Sequence, residues 1–244
     1  MVGPDEVVVA HYPIRVALPI ESPDPPFRRF KYRRAATDAV LAVTGGKGGV
    51  GKTTTALGLA AAAARSGRRP VVVDADRDCP DLATVSGTDG GGLARLAAGE
   101  PLGVAGTLTA GVTVLGARFD TDPGALSSAL ERLTDVERPV FLDCPAGAGR
   151  PAATPLRHAT ESVVVTRRTE RAIVDGRKAA AMARRLDAAP RGVVVSRADA
   201  ASNVAEMFDV PVLGCVPDVE RCSPWRAAES AYDAVYAALV RPNS

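Results

Sequence analysis

GGKGGVGKTTT, residues 45–55, follows the apolar run AVLAVT (39–44) and precedes a run rich in Ala and Leu (53–65). Within it residues 46–53 read G-x-x-x-x-G-K-T, the Walker A pattern, set between an expected strand and an expected helix. Each residue type answers to phosphate chemistry. The glycines of the loop, Gly46, Gly48, Gly49 and Gly51 around Val50, let backbone N–H groups turn inward and approach phosphate oxygens without a Cβ in the way. A helix beginning near Lys52 adds the positive end of its dipole. Lys52 is expected to reach the β- and γ-phosphates, the Thr53 hydroxyl to ligate Mg²⁺, and Thr54 to lie near the α-phosphate. Lys47 is a second basic residue, placed early in the loop.

Outward from this loop, strands and helices alternate. Strands are expected at 39–44, 70–74 (PVVVD), 112–115, 139–143 (PVFLD), 162–166, 192–196 (GVVVS) and 211–216. Helices are expected at 53–65, 93–98, 124–133, 170–186, 200–208 and 225–240. Short apolar strands interleaved with helices imply βαβ units. The expected fold class is α/β: a doubly wound, mainly parallel sheet with helices on both faces, binding ligand at the carboxyl ends of its strands.

Composition narrows the function classes. Lys+Arg 30 against Asp+Glu 28 leaves +2, so overall charge points to no polyanion. Aromatics are 4%, too few for a platform that stacks single-stranded nucleic acid. The cysteines at 79, 144, 215 and 222 form no C-x-x-C pair, which removes the main signal for a zinc ribbon or a thioredoxin-like site. The start has no apolar signal region and no apolar run is long enough to span a membrane, so the expected compartment is cytoplasmic. Residues 1–36 stand apart as an irregular, partly basic extension, with 37–244 as the domain proper. Runs at 7–9 and 14–18 could be strands, prolines at 19, 23, 25 and 26 interrupt regular structure after them, and FRRFKYRR (27–34) mixes basic and aromatic residues. That extension reads as a basic arm for nucleic acid or an acidic membrane, as a solvated leader, or as a mis-called start.

Two further motifs accompany the loop. VVVDADRD (71–78) ends a strand with carboxylates at i and i+2, Asp74 and Asp76, which share a side of an extended chain. PVFLDCPAGAG (139–149) is an apolar strand ending in Asp143. With KGGVGKTT, these stretches resemble the MinD/ParA family of deviant Walker A ATPases, P-loop NTPases of the SIMIBI type. The resemblance runs from Val40 to Leu239. It implies an ATP-dependent homodimer in which Lys47 reaches the partner's phosphates in trans, as an arginine finger does elsewhere. It assigns Asp76 to positioning the attacking water, at the metal site, Asp143 to the Mg²⁺ shell through water, and Gly147 to the backbone swing of switch II. Asp74 becomes a structural or outer partner of Mg²⁺, while Asp78 and Asp81 are expected to face solvent. At the base-binding end, VVVSRAD (193–199) and GCVPD (214–218) match in position; Arg197 could stack on the base and Pro217 line it. Many relatives carry Asn where Ser196 stands, so ATP over GTP is implied by the family and not by these residues.

The implied function is a Mg²⁺-dependent, ATP-hydrolysing switch acting in spatial positioning, cell division or partition, slow without an activating or cargo protein. A nucleotide-binding scaffold with negligible turnover is the alternative, and an iron–sulfur or metal carrier a further one. The basic amphipathic C-terminal helix of membrane-bound relatives is not evident: Arg241 is the only charge after Asp233. Arg171, Lys178 and Arg185 recur every seven residues on one helix face. They read either as a contact for non-specific DNA or as a solvated face.

Overall fold

The computed structural model describes residues 39–241, except 123, 134–135, 202–203 and 220–222. The expectations for residues 1–36, for the boundary after them and for Cys222 lie outside the described residues.

The strands are β1 (Val40–Thr44), β2 (Val71–Asp74), β3 (Thr107–Thr109), β4 (Val112–Leu115), β5 (Val140–Asp143), β6 (Glu161–Thr166), β7 (Pro190–Ser196) and β8 (Val212–Val216). They form an 8-stranded sheet in the order β3-β4-β2-β5-β1-β6-β7-β8. Every pairing is parallel except β3 with β4. The central strands are apolar on both sides because both sides are covered. Leu41, Val43, Val72, Phe141, Val163 and Val194 point into one layer, under α1 (Lys52–Arg65) and α10 (Glu229–Val240). Val40, Ala42, Val73, Val140 and Leu142 point into the other, under α3 (Gly92–Ala97), α5 (Ala125–Leu133), α6 (Arg150–His158) and part of α7 (Glu170–Arg185). A smaller cluster beneath α7 and α8 (Val204–Met207) completes that side around Val164, Val193, Val195 and Phe208.

The doubly wound expectation therefore holds, with local differences. The sequence reading has no element at β3, α2 (Leu82–Ser86), α4 (Leu102–Ala105) or α6. The first three are 3, 5 and 4 residues long, too short for a periodic signal. Helix α6 carries Pro151 in its first turn and Pro155 inside, yet buries Ala152, Ala153 and Leu156 against the sheet. Burial there outweighs the bond that Pro155 cannot donate. The expected helix at 225–240 divides at Ala228 into α9 (Pro224–Ala227) and α10. The division seats the buried Trp225, whose indole N–H donates to the Val85 carbonyl at 3.2 Å.

Helix α1 packs against α10 through Gly58, where a Cβ would stand 2.4 Å from the buried Tyr232 ring. Gly58→Ala is expected to lower stability by about 1–3 kcal/mol, since the clash exceeds the helix-propensity gain of about 1 kcal/mol. Urea denaturation of the two chains measures it.

Candidate functional site

The carboxyl ends of β1, β2 and β5 meet under the glycine-rich loop. β5 lies between β1 and β2, and in-register pairing sets Val43 beside Asp143 and Asp143 beside Asp74. The loop leaves β1 and enters α1 through Gly51, whose φ of 94° is left-handed. Lys52 follows as the first residue of the helix and is buried. Lys47, Gly48 and Gly49 are exposed at the loop's tip, while Val50 is buried beneath it. Gly46 is required by close approach: a Cβ there would lie 2.0 Å from the Asp175 carbonyl oxygen of α7.

The acidic residues divide by environment. Asp143 is fully buried, and neither of its carboxylate oxygens has a hydrogen-bond partner. Burial pushes its carboxyl well above the usual range, opposed by Thr53 and Lys52 and reinforced by Asp74. Asp74 accepts from the Asp76 amide at 3.2 Å and the Leu82 amide at 3.3 Å. Burial nevertheless raises it to about 7. These bonds give Asp74 a structural place, tying the end of β2 to the start of α2. Asp76 is half-buried and accepts from the Cys79 amide at 3.1 Å. Its carboxyl is also raised, first by burial. Asp81 is exposed, as expected, and in addition accepts the Thr53 hydroxyl at 2.8 Å. Only the fold, 28 residues along the chain, brings those two together.

This donor set suits Mg²⁺. It offers hard oxygens, a hydroxyl and carboxylates, and Asp143 is a buried acid whose burial Thr53 and Lys52 only partly offset. Among the described residues no group of three or more His, Cys, Asp or Glu side chains could hold a metal ion unaided. A Mg²⁺ ion needs no such cage, because it keeps waters and takes substrate phosphate oxygens. Below the loop, Gly147 (φ 90°) donates its amide to the Gly45 carbonyl at 3.1 Å, joining the segment after β5 to the loop. Thr54 is half-buried in the first turn of α1.

On the other flank, Arg197 at the end of β7 (φ 52°) faces Asp218 after β8 at 3.6 Å, with Pro217 alongside in sequence. The two residues expected at the base thus stand on adjoining strand ends. Ser196 does not face that side: its buried hydroxyl donates to the Val50 carbonyl at 2.5 Å. Arg167, outside every motif named from the sequence, donates from Nη2 to the Gly49 carbonyl. Nothing local marks it; its place results from β6 pairing with β1. Arg171, Lys178 and Arg185 are all exposed on α7. Lys178 is bound to Asp175 at 3.0 Å, which offsets part of that stripe's charge.

Residues 41–229 match the family model described as the CobQ/CobB/MinD/ParA nucleotide binding domain. The chain is 30% identical over 195 residues to an uncharacterized ATP-binding protein of Methanocaldococcus jannaschii, covering 73% of this chain and 74% of that one. It is 26% identical over 204 residues to the septum site-determining protein MinD of a Synechocystis species, covering 75% and 77%. An iron-sulfur cluster carrier protein of Salmonella typhimurium is 28% identical over 240 residues, with 82% of this chain covered but 64% of that one. Among solved structures, the septum site-determining protein MinD complexed with Mg-ADP from Pyrococcus horikoshii OT3 has a TM-score of 0.69 at 21% identity. It covers 81% of this chain and 94% of that chain, a likeness of fold.

The buried acids lead to two expected outcomes. Asp74 in the folded chain holds its proton up to about pH 7, whereas an unfolded Asp loses it near pH 4. Between those values the folded state binds more protons, so stability is highest below the window and falls as pH rises through it. Asp74→Asn is expected to flatten that fall, measured by urea denaturation in EDTA from pH 4.5 to 8. Asp143→Asn replaces a buried acid whose oxygens have no hydrogen-bond partner and whose burial Thr53 and Lys52 only partly offset. At pH 8 without nucleotide it is expected to stabilise the chain by about 1–3 kcal/mol while abolishing any Mg²⁺ dependence of nucleotide binding.

Proposed function

Since the chain belongs to the CobQ/CobB/MinD/ParA nucleotide binding domain family, we propose that it is a Mg²⁺-dependent switch that binds and hydrolyses ATP and dimerises in its ATP state. The observation that carries this reading is the unsatisfied, buried Asp143 carboxylate beside the Thr53 and Lys52 end of the phosphate loop. Thr53 and Lys52 only partly offset the burial of Asp143, and a cation brought with the phosphates would offset the rest.

In this reading the loop amides and Lys52 bind the β- and γ-phosphates, and the Thr53 hydroxyl turns from Asp81 to the metal. The Thr53 hydroxyl and, through water, Asp143 would hold Mg²⁺, which would supply positive charge to offset the phosphates. Asp143 orients waters of the metal shell. Asp76, half-buried and held by the Cys79 amide, positions the attacking water and belongs to the same metal-side group. Lys47 supplies charge to the partner's phosphates; its exposure at the loop tip suits a residue that acts across an interface. Arg197 and Pro217 lie at the base. Catalysis is then positioning plus charge neutralisation, with no covalent intermediate. The cellular role is spatial positioning of the division or partition kind, read out by an activating or cargo protein. The α7 stripe of Arg171, Lys178 and Arg185 is the surface assigned to non-specific DNA.

The carrier reading has less support. Cys79 is exposed, Cys144 buried and Cys215 half-buried, on three separate segments of the described residues. Burial raises the Cys144 thiol far above its ordinary value, as expected of a packing residue.

Light scattering tests the switch. ATP with Mg²⁺ is expected to double the mass of the wild-type chain, ADP to leave it unchanged, and Lys47→Ala to abolish the ATP effect. Asp76→Ala is expected to keep the dimer but lower phosphate release about 100-fold. Nucleotide binding with no turnover, equal for wild type and Asp76→Ala, would instead establish the scaffold alternative.

A further inference from the structure

A loop that turns its amides toward a phosphate turns the intervening carbonyls away from it. Carbonyls that face protein need donors. Two carbonyls of this loop obtain theirs from side chains outside the Walker A pattern. Arg167 Nη2 donates to the Gly49 carbonyl, and Ser196 Oγ donates to the Val50 carbonyl at 2.5 Å. Both residues sit where neighbouring strands end: Ser196 closes β7 and Arg167 follows β6, which flanks β1. Gly46, too, runs close enough to the Asp175 carbonyl that a Cβ there would clash.

Arg167 has an additional property. It forms no ion pair with an acid among the described residues, unlike Arg65, Arg95, Arg184 and Arg191. Its Nε is buried without an acceptor. An arginine recruited only to tie down a carbonyl would gain from a carboxylate beside it; this one keeps its charge uncompensated next to the loop.

We propose that Arg167 and Ser196 are positioning residues of the phosphate loop. They hold the Gly49 and Val50 carbonyls outward so that the amides face the nucleotide's phosphates, and Arg167 adds a third positive charge beside Lys47 and Lys52. This rests on the nucleotide-binding reading of the loop. It also gives a task on the loop to Ser196, where many relatives carry Asn.

The test uses the full chain and Arg167→Ala, Arg167→Lys, Arg167→Gln and Ser196→Ala, with the exposed α6 variant Arg157→Ala as a charge control. Amide hydrogen exchange across residues 45–55, without nucleotide, reads the clamp itself; calorimetric binding of Mg-ADP and of a non-hydrolysable Mg-ATP analogue reads its consequence. Both alanine variants are expected to exchange faster in the loop at unchanged melting temperature. Arg167→Ala is expected to bind nucleotide about tenfold more weakly and Ser196→Ala about threefold. Arg167→Lys restores affinity to within about threefold of wild type. Arg167→Gln, which keeps a donor but loses the charge, falls between and shows a shallower dependence of affinity on salt. The proposal is overturned by alanine variants that bind within about twofold of wild type, by a lysine variant no better than alanine, or by affinity losses that track melting temperature. Failure of the nucleotide reading shows separately, as a wild type that binds neither nucleotide; unchanged loop exchange would then remove the clamp as well.

Discussion

Parallel, in-register pairing of β2 with β5 puts Asp74 and Asp143 side by side at the top of the sheet, where the charge of Asp74 adds to the burial that raises Asp143. Strand pairing fixes their separation, so they cannot move apart to relieve the repulsion. Asp74 is partly answered by the amides of Asp76 and Leu82. Asp143 accepts no such amide bond; Thr53 and Lys52 only partly offset its burial. A fold that retains an unsatisfied buried carboxylate gives up stability at that point. Around it the helix start at Lys52 and the loop's amides favour an anion, while Asp143 and the Thr53 hydroxyl offer oxygens to a cation that would come with it.

The layers serve that end of the sheet. On one side α1 buries an almost continuous apolar run, residues 55–63, which anchors the helix that begins at the loop. Tyr232 and Trp225 close over it from α10 and α9. On the other side α6 and α7 cover β5, β1 and β6. The ends of those strands are thereby rigid while the segments leaving them are exposed. Side chains on rigid strand ends can hold fixed distances to a ligand, and exposed loop tips can respond to one. Lys47 belongs to the second kind and Asp143 to the first.

The loop is supported from both flanks by different chemistry. Toward β5 the contact is backbone to backbone, Gly147 amide to Gly45 carbonyl. Toward β6 and β7 it is side chain to backbone, from Arg167 and Ser196. That backbone contact involves a left-handed glycine, Gly147. A guanidinium and a buried hydroxyl instead hold their carbonyls through side chains that the strand ends position.

The sequence alone determined the alternation of strands and helices, the phosphate loop and the strand-terminal acids, because each is a local signal. A two-faced buried strand is an apolar run, a left-handed turn is written in glycine, and a strand that ends at a site ends in a polar residue. Only the tertiary structure decided which of those ends became neighbours. Asp81 reached Thr53, Arg167 reached Gly49 and Ser196 reached Val50 across 28, 118 and 146 residues of chain. No periodicity or spacing encodes such pairs. They result from strand order, which is set by how the helices share the two faces of the sheet. The prolines of α6 and the break at Ala228 were hidden for the same reason: burial of Leu156 and Trp225 against distant elements outweighed what the local sequence prefers.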